Sequence, residues 1–266
     1  MTRRALFFDL DETIAADDPL NLALAGELAN AVAAAHAVDP ARLLGALEAA
    51  ANALWDRGPA ASYAMRIGIS PWEGLWGPFG PSAEPMLAAL HAFVPGYRTA
   101  VWRAALAACG IAAPEVADAL ERRFASERRA RQAAYPWSAA VLAELRPRYR
   151  LGMITNGAPD MQRLKLAGTG LAEWFDPVVV SGELGAGKPE PAIFAHALAL
   201  AEAAPHEAVM IGDSWHRDIS GALGAGWRAA IWINPAGAPP PAHGDHPGLL
   251  VAADLRAVPA LAAALG

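Results

Sequence analysis

The chain has 266 residues, enough for one large domain or for a domain that carries an insertion. Lysine and arginine total 21 against 27 aspartate and glutamate, a formal net charge of -6, which argues against a nucleic-acid-binding protein with its basic face. A single cysteine excludes an intrachain disulfide and a cysteine-built metal cage, and no stretch reaches the ~18 uncharged apolar residues of a membrane span.

The apolar run Ala5–Phe8 ends at Asp9, too short for the ~7–15-residue core of a secretory signal, so the expected setting is the cytoplasm. Bounded by polar residues, the run reads as a buried parallel strand. From about Ala16 to Ala134 the sequence is dominated by Ala, Leu, Glu and Arg at helical spacing, with no strand pattern. Such a block is far longer than a βαβ crossover needs and reads as an inserted helical domain. Within it GISPWEGLWG reads as a loop, and Trp55 and Trp102 as core. For Trp72 and Trp76, in the loop, the choice lies between core and lining a substrate pocket. Cys109 reads as a buried structural thiol, and Arg128, Arg129 and Arg131 as a solvated helix face.

Further strands are expected at Tyr149–Ile154, Pro177–Val180, Ala208–Ile211 and Arg228–Ile233, with helices at Trp137–Leu145, Asp160–Ala167, Pro191–Ala203 and Asp218–Gly224. This alternation predicts an α/β fold, a doubly wound parallel sheet, with the helical domain inserted after the first strand. The boundaries are 1–15 and 135–266 for the α/β core and 16–134 for the insertion. The segment 235–248 is too rich in proline and glycine for a regular element, and its His243, Asp245 and His246 read as a surface segment rather than a metal site.

In open α/β sheets the ligand crevice lies outside the carboxyl ends of the strands. There this sequence collects Asp9, Asp11 and Thr13 after the first strand, and Thr155 and Asn156 after the second. Lys188 follows the third, and Asp213 and Asp218 the fourth. Carboxylates gathered so closely repel one another unless a cation sits among them, and an all-oxygen donor set points to magnesium. Phosphoryl transfer suits such a site. One carboxylate attacks phosphorus, another moves the leaving-group proton, and the lysine with the Thr/Asn pair holds phosphoryl charge.

The segments FFDLDET, MITNG, GKPEP and GDSWHRDI resemble, in order and spacing, the four motifs of the haloacid dehalogenase-like hydrolase superfamily. The helical insertion resembles that superfamily's C1 cap, expected to close over the site and read the leaving group. The stretch from LGMITNG to GKPEPAIF looks like the nucleotidase and acylneuraminate-phosphatase branch. The resemblance implies that Asp9 is the nucleophile and a metal ligand. It also implies that Asp11 is the general acid/base and binds the metal through its carbonyl. Thr155 and Asn156 would bind phosphate, Lys188 would steady nucleophile and phosphate, and Asp213 would complete the magnesium site. Asp218 is either a ligand or a group backing one, or simply a helix cap, and Thr13 stands behind the ligands. His216 and Arg217 read as solvent-facing.

Dehalogenase members lack an acid at the second position, so Asp11 favours a phosphatase acting on a small phosphorylated metabolite. The same motifs serve phosphomutases, and a silent binding protein that kept the fold is the remaining alternative. Taken singly, Asp9, Asp11 and Thr155-Asn156-Gly157 are ordinary turn residues and Lys188 an ordinary surface lysine. Their order along one chain is what promotes them.

Overall fold

The computed structural model describes residues 4–241 and 246–265. Its strands are β1 (Ala5–Phe8), β2 (Arg150–Thr155), β3 (Val178–Val180), β4 (Ala208–Gly212), β5 (Ala229–Ile233) and β6 (Leu249–Ala252). They form one parallel sheet in the order β3-β2-β1-β4-β5-β6. The chain winds outward one way from β1 to β3 and the other way from β4 to β6. The order therefore reverses between β1 and β4, the position at which open α/β sheets bind ligands beyond the strand ends.

Both faces of the sheet are covered, so its central strands are apolar at every position rather than at alternate ones. Leu6 and Phe8 pack on one side with Met153, Val209 and Ile211, while Ala5 and Phe7 pack on the other with Ile154 and Met210. Phe7 and Phe8 are fully buried, each stabilising the fold by about 1.5–3 kcal/mol on area grounds. β6 is absent from the expectation because a short apolar LLVA run at a sheet edge has no period that separates strand from helix.

The chain divides into two compact units, residues 1–16 with 133–266, and residues 17–132. The second contains α1 (Asp18–His36), α2 (Pro40–Trp55), α3 (Ala61–Ile67), α4 (Pro71–Trp76), α5 (Pro85–Ala108) and α6 (Pro114–Ala130), and no strand among its described residues. Within the expected loop GISPWEGLWG, Pro71–Trp76 form a short helix instead. Ser70 accepts from the Glu73 N–H and Glu73 from the Ser70 N–H, a reciprocal cap that starts α4 despite the flanking Gly and Pro. Trp55, Trp76 and Trp102 are core, while Trp72 is half-buried beside Phe124.

Arg128 overturns the reading of a solvated arginine face. Its guanidinium is fully buried, donates to Asp17 Oδ1 at 2.5 Å and Asn21 Oδ1 at 2.7 Å, and lies over the Trp76 ring. Arg129 is half-buried and donates to the Trp76 carbonyl. Cys109, expected to be buried, is half-exposed at the end of α5.

The α/β unit adds α7 (Ser138–Leu145), α8 (Pro159–Gly168), α9 (Ser181–Leu184), α10 (Pro191–Leu200), α11 (Gly221–Gly224) and α12 (Val258–Ala264). The expected helix at Asp218 begins earlier, as a π-helical turn over Trp215–Ser220 that runs into α11. His243 and Asp245 lie outside the described residues, and His246 Nδ1 accepts from the Gly248 N–H at 3.0 Å. Among the described residues no helix is long and apolar enough to cross a membrane.

Candidate active site

β1 delivers Asp9 to the switch point, its N–H bonded to the Ile211 carbonyl at the end of β4 at 2.9 Å. The chain then turns back at once. The N–H groups of Ile14 and Ala15 both reach the Leu10 carbonyl at 2.9 Å, and Glu12 takes a left-handed φ of 54°. That strained residue is anchored by the Tyr135 hydroxyl, which donates to Glu12 Oε2 at 2.7 Å. The turn leaves Asp9 only 8% exposed and Asp11 half-buried.

Lys188 comes from the loop after β3 and α9, and its ammonium is buried. Nζ donates to Asp9 Oδ1 at 2.7 Å and to Asp218 Oδ1 at 2.6 Å. The Asn156 side chain fixes the Lys188 backbone, accepting from its N–H at 2.8 Å and donating to its carbonyl at 2.9 Å. The expectation gave Asn156 a phosphate. Its side-chain amide atoms both bond the Lys188 backbone.

Asp218 lies in the π-helical turn and is fully buried. Its Oδ2 accepts from the Ser214 N–H at 3.0 Å, and it packs on Gly212, where a Cβ would come 2.3 Å from that oxygen. Glycine is required there by close approach rather than by its dihedrals. Asp213, between them, has its carbonyl held by Trp232 Nε1 at 2.8 Å. His216 and Arg217 are exposed, as expected.

Carboxylate oxygens of Asp9, Asp213 and Asp218 lie within 4.8 Å of one another. Burial pushes Asp9 up to about 7, with Lys188 pulling down and Asp218 and Asp11 adding to the rise. Burial, then Asp9 and Asp218, push Asp213 up to about 8. Burial alone would lower Lys188, but Asp218 and Asp9 outweigh it and raise it above its ordinary value. One lysine thus faces three carboxylates, a deficit of positive charge among hard oxygen donors. The residues fit a divalent cation of the magnesium type, with Asp9, Asp213 and Asp218 as candidate ligands.

The Asp11 carboxylate is not in that group. Lys165 Nζ donates to both of its oxygens at 3.1 Å, and Gln162 Nε2 to Oδ2 at 3.0 Å. Gln162 Nε2 also reaches Thr155 Oγ1 at 2.7 Å and the Asn156 carbonyl at 2.5 Å. Gly157, with φ of 149°, lets this happen, since a Cβ there would meet the Gln162 side chain at 2.8 Å. Thr13 is buried, and its hydroxyl makes no hydrogen bond among the described residues. Lys165 and Gln162 were not anticipated. Their signal was available, because a lysine and a glutamine share the otherwise apolar buried stripe of α8 with Met161 and Leu166.

A family model described as haloacid dehalogenase-like hydrolase matches residues 3–226. The chain belongs to the haloacid dehalogenase-like hydrolase family. It is 40% identical to a phosphoserine phosphatase of Thermus thermophilus over 87% of this chain and 88% of that one. It is also 40% identical to the N-acylneuraminate-9-phosphatase of Rattus norvegicus, over 46% of this hydrolase and 49% of the relative. Among solved structures, a 2-haloacid dehalogenase from Pseudomonas syringae matches with a TM-score of 0.60 and 26% identity, covering 99% of this hydrolase and 100% of that chain. The protein is therefore a hydrolase with phosphatase-named relatives.

Proposed function

We propose that this hydrolase is a magnesium-dependent phosphatase that cleaves a small phosphomonoester through an aspartyl-phosphate on Asp9. The observation that carries the reading is the pairing of Asp9, held by Lys188 at the switch point, with a second acid, Asp11, two residues on. A halide leaves without a proton, whereas an alkoxide needs one, so Asp11 favours phosphate esters over haloacids. The phosphatase names of relatives at about this level of identity support the same class.

In the proposed first step the Asp9 carboxylate forms a bond to phosphorus as the ester P–O bond breaks. The leaving oxygen takes its proton from Asp11. In the second, water attacks phosphorus, gives a proton to Asp11, and the P–O bond to Asp9 breaks to release inorganic phosphate. Lys188 holds Asp9 in line and offsets phosphoryl charge. The Thr155 hydroxyl and the Asn156 main chain are the proposed phosphate cradle, with the Asn156 side chain acting through Lys188. A magnesium ion held by Asp9, Asp213, Asp218 and the Asp11 carbonyl would supply electrostatic stabilisation of the transferring group. The helical unit 17–132 is the proposed cap that selects the leaving group, and the single cysteine suits a cytoplasmic setting.

The test is phosphate release from a panel of sugar phosphates, nucleoside monophosphates and phosphorylated hydroxy acids, with magnesium and with EDTA. Release that needs magnesium, and that Asp9→Asn abolishes, supports the reading. Normal turnover by Asp9→Asn would overturn the covalent mechanism, and conversion of a hexose 1-phosphate to its isomer without phosphate release would make the protein a mutase.

A further inference from the structure

Each of the two acids after β1 has its own buried lysine. Lys188 serves Asp9, as the family motifs lead one to expect. Lys165 is 2% exposed in the last turn of α8, and its ammonium lies 3.1 Å from both oxygens of Asp11. Enclosing an ammonium costs several kcal/mol unless partners of opposite charge accompany it, so a fully enclosed lysine is placed rather than incidental. Three residues earlier on the same face, Gln162 reaches Asp11 Oδ2, Thr155 Oγ1 and the Asn156 carbonyl from one nitrogen. Two adjacent side chains of one helix thus tie the acid of the first loop to the hydroxyl of the second.

We infer that Lys165 is a positioning residue for Asp11, holding its carboxylate, together with Gln162, where the leaving oxygen and the attacking water exchange their proton. This deepens the phosphatase reading and rests on it. The Asp11 carboxylate is partly exposed, with a side-chain exposure of 27%, and stands at the start of the turn after β1. General acid–base catalysis demands a donor within hydrogen-bond reach of one particular oxygen. A two-oxygen contact from Lys165 with a third bond from Gln162 removes the rotameric freedom that would spoil this. The plainer alternative is an ion pair that only staples α8 to the loop after β1.

Leaving-group dependence separates the two. Lys165→Met, Asp11→Asn and the double variant are assayed with magnesium on an alkyl phosphate and on p-nitrophenyl phosphate, whose nitrophenolate leaves without a proton. The inference expects Lys165→Met to lose about 10²-fold in kcat on the alkyl ester, within the range a general acid supplies. First-turnover release of nitrophenolate should fall less than about tenfold, because that step needs no acid. The double variant should be no slower than Asp11→Asn alone on the alkyl ester, since the lysine acts through Asp11. Equal losses on both esters, an unchanged alkyl rate, or additive losses in the double variant would each overturn the inference and leave the phosphatase reading standing. A wild-type protein inactive on every ester overturns both. If Lys165→Met is unfolded by circular dichroism, Lys165→Gln, which keeps a donor without the charge, carries the same comparison.

Discussion

The Asn156 side chain grips Lys188 from both sides of its peptide, accepting from the N–H at 2.8 Å and donating to the carbonyl at 2.9 Å. The lysine that reaches Asp9 is therefore placed by a residue at the end of a different strand. Asn156→Asp preserves the shape but turns the donor to the Lys188 carbonyl into an acceptor. Stability should fall by about 1–3 kcal/mol, the cost of leaving a buried polar group unpaired. The kcat should fall more than KM rises, because the displaced group acts on the nucleophile. Urea unfolding and steady-state kinetics on one active ester check both.

Lys188→Met should be the more damaging change, since it leaves Asp9 and Asp218 buried without their cation. Removing one partner of a buried ion pair costs about 3–5 kcal/mol. Turnover should disappear along with that stability, and magnesium should recover part of the unfolding midpoint but none of the activity. Recovery of activity by magnesium alone would show that Lys188 is there only to offset charge.

The metal-free protein should lose stability as pH rises. Asp9 at about 7 and Asp213 at about 8 sit far above the ordinary carboxylate value of 3.8, so the folded chain keeps protons that the unfolded chain releases near pH 4. Their contribution is full below pH 4 and is lost as pH climbs through 7 and 8. In EDTA the urea midpoint should be lower at about pH 8.5 than at about pH 5.5. Magnesium should raise it at the higher pH and much less at the lower, where protons compete for the same oxygens. A midpoint in EDTA that rises over this range would mean that the carboxylates are already ionised and paired.

Gly212→Ala should displace Asp218, because the new methyl would come 2.3 Å from its Oδ2. Overpacking of this kind costs about 1–3 kcal/mol. Magnesium affinity, read by calorimetry, should weaken with it. Gly224→Ala meets nothing within 4 Å and serves as the control, expected to be neutral or slightly stabilising.

In the helical unit, Arg128→Met strands Asp17 in a buried position and should cost about 3–5 kcal/mol in urea unfolding. Arg128→Lys should recover little, since one ammonium does not reproduce a guanidinium that serves Asp17, Asn21 and the Trp76 face together.

Much of this molecule is determined by local sequence. A strand buried on both faces must be apolar throughout, so AVMI and RAAIWI declare themselves, and polar residues at their ends mark the rim where β1 and β4 part. Asp9, Asp11, Lys188 and Asp213 were legible because, though each alone is an ordinary turn or surface residue, their order and spacing along one chain resemble the motifs of one family. Tertiary structure decided the partners. Nothing local shows that Asn156 holds a backbone 32 residues away, that Lys165 of α8 meets Asp11 across 154 residues, or that Arg128 is buried on Asp17 rather than solvated. A buried charge is tolerated only when the fold brings its counter-charge to it, and that distance is set by packing, which no window along the chain contains.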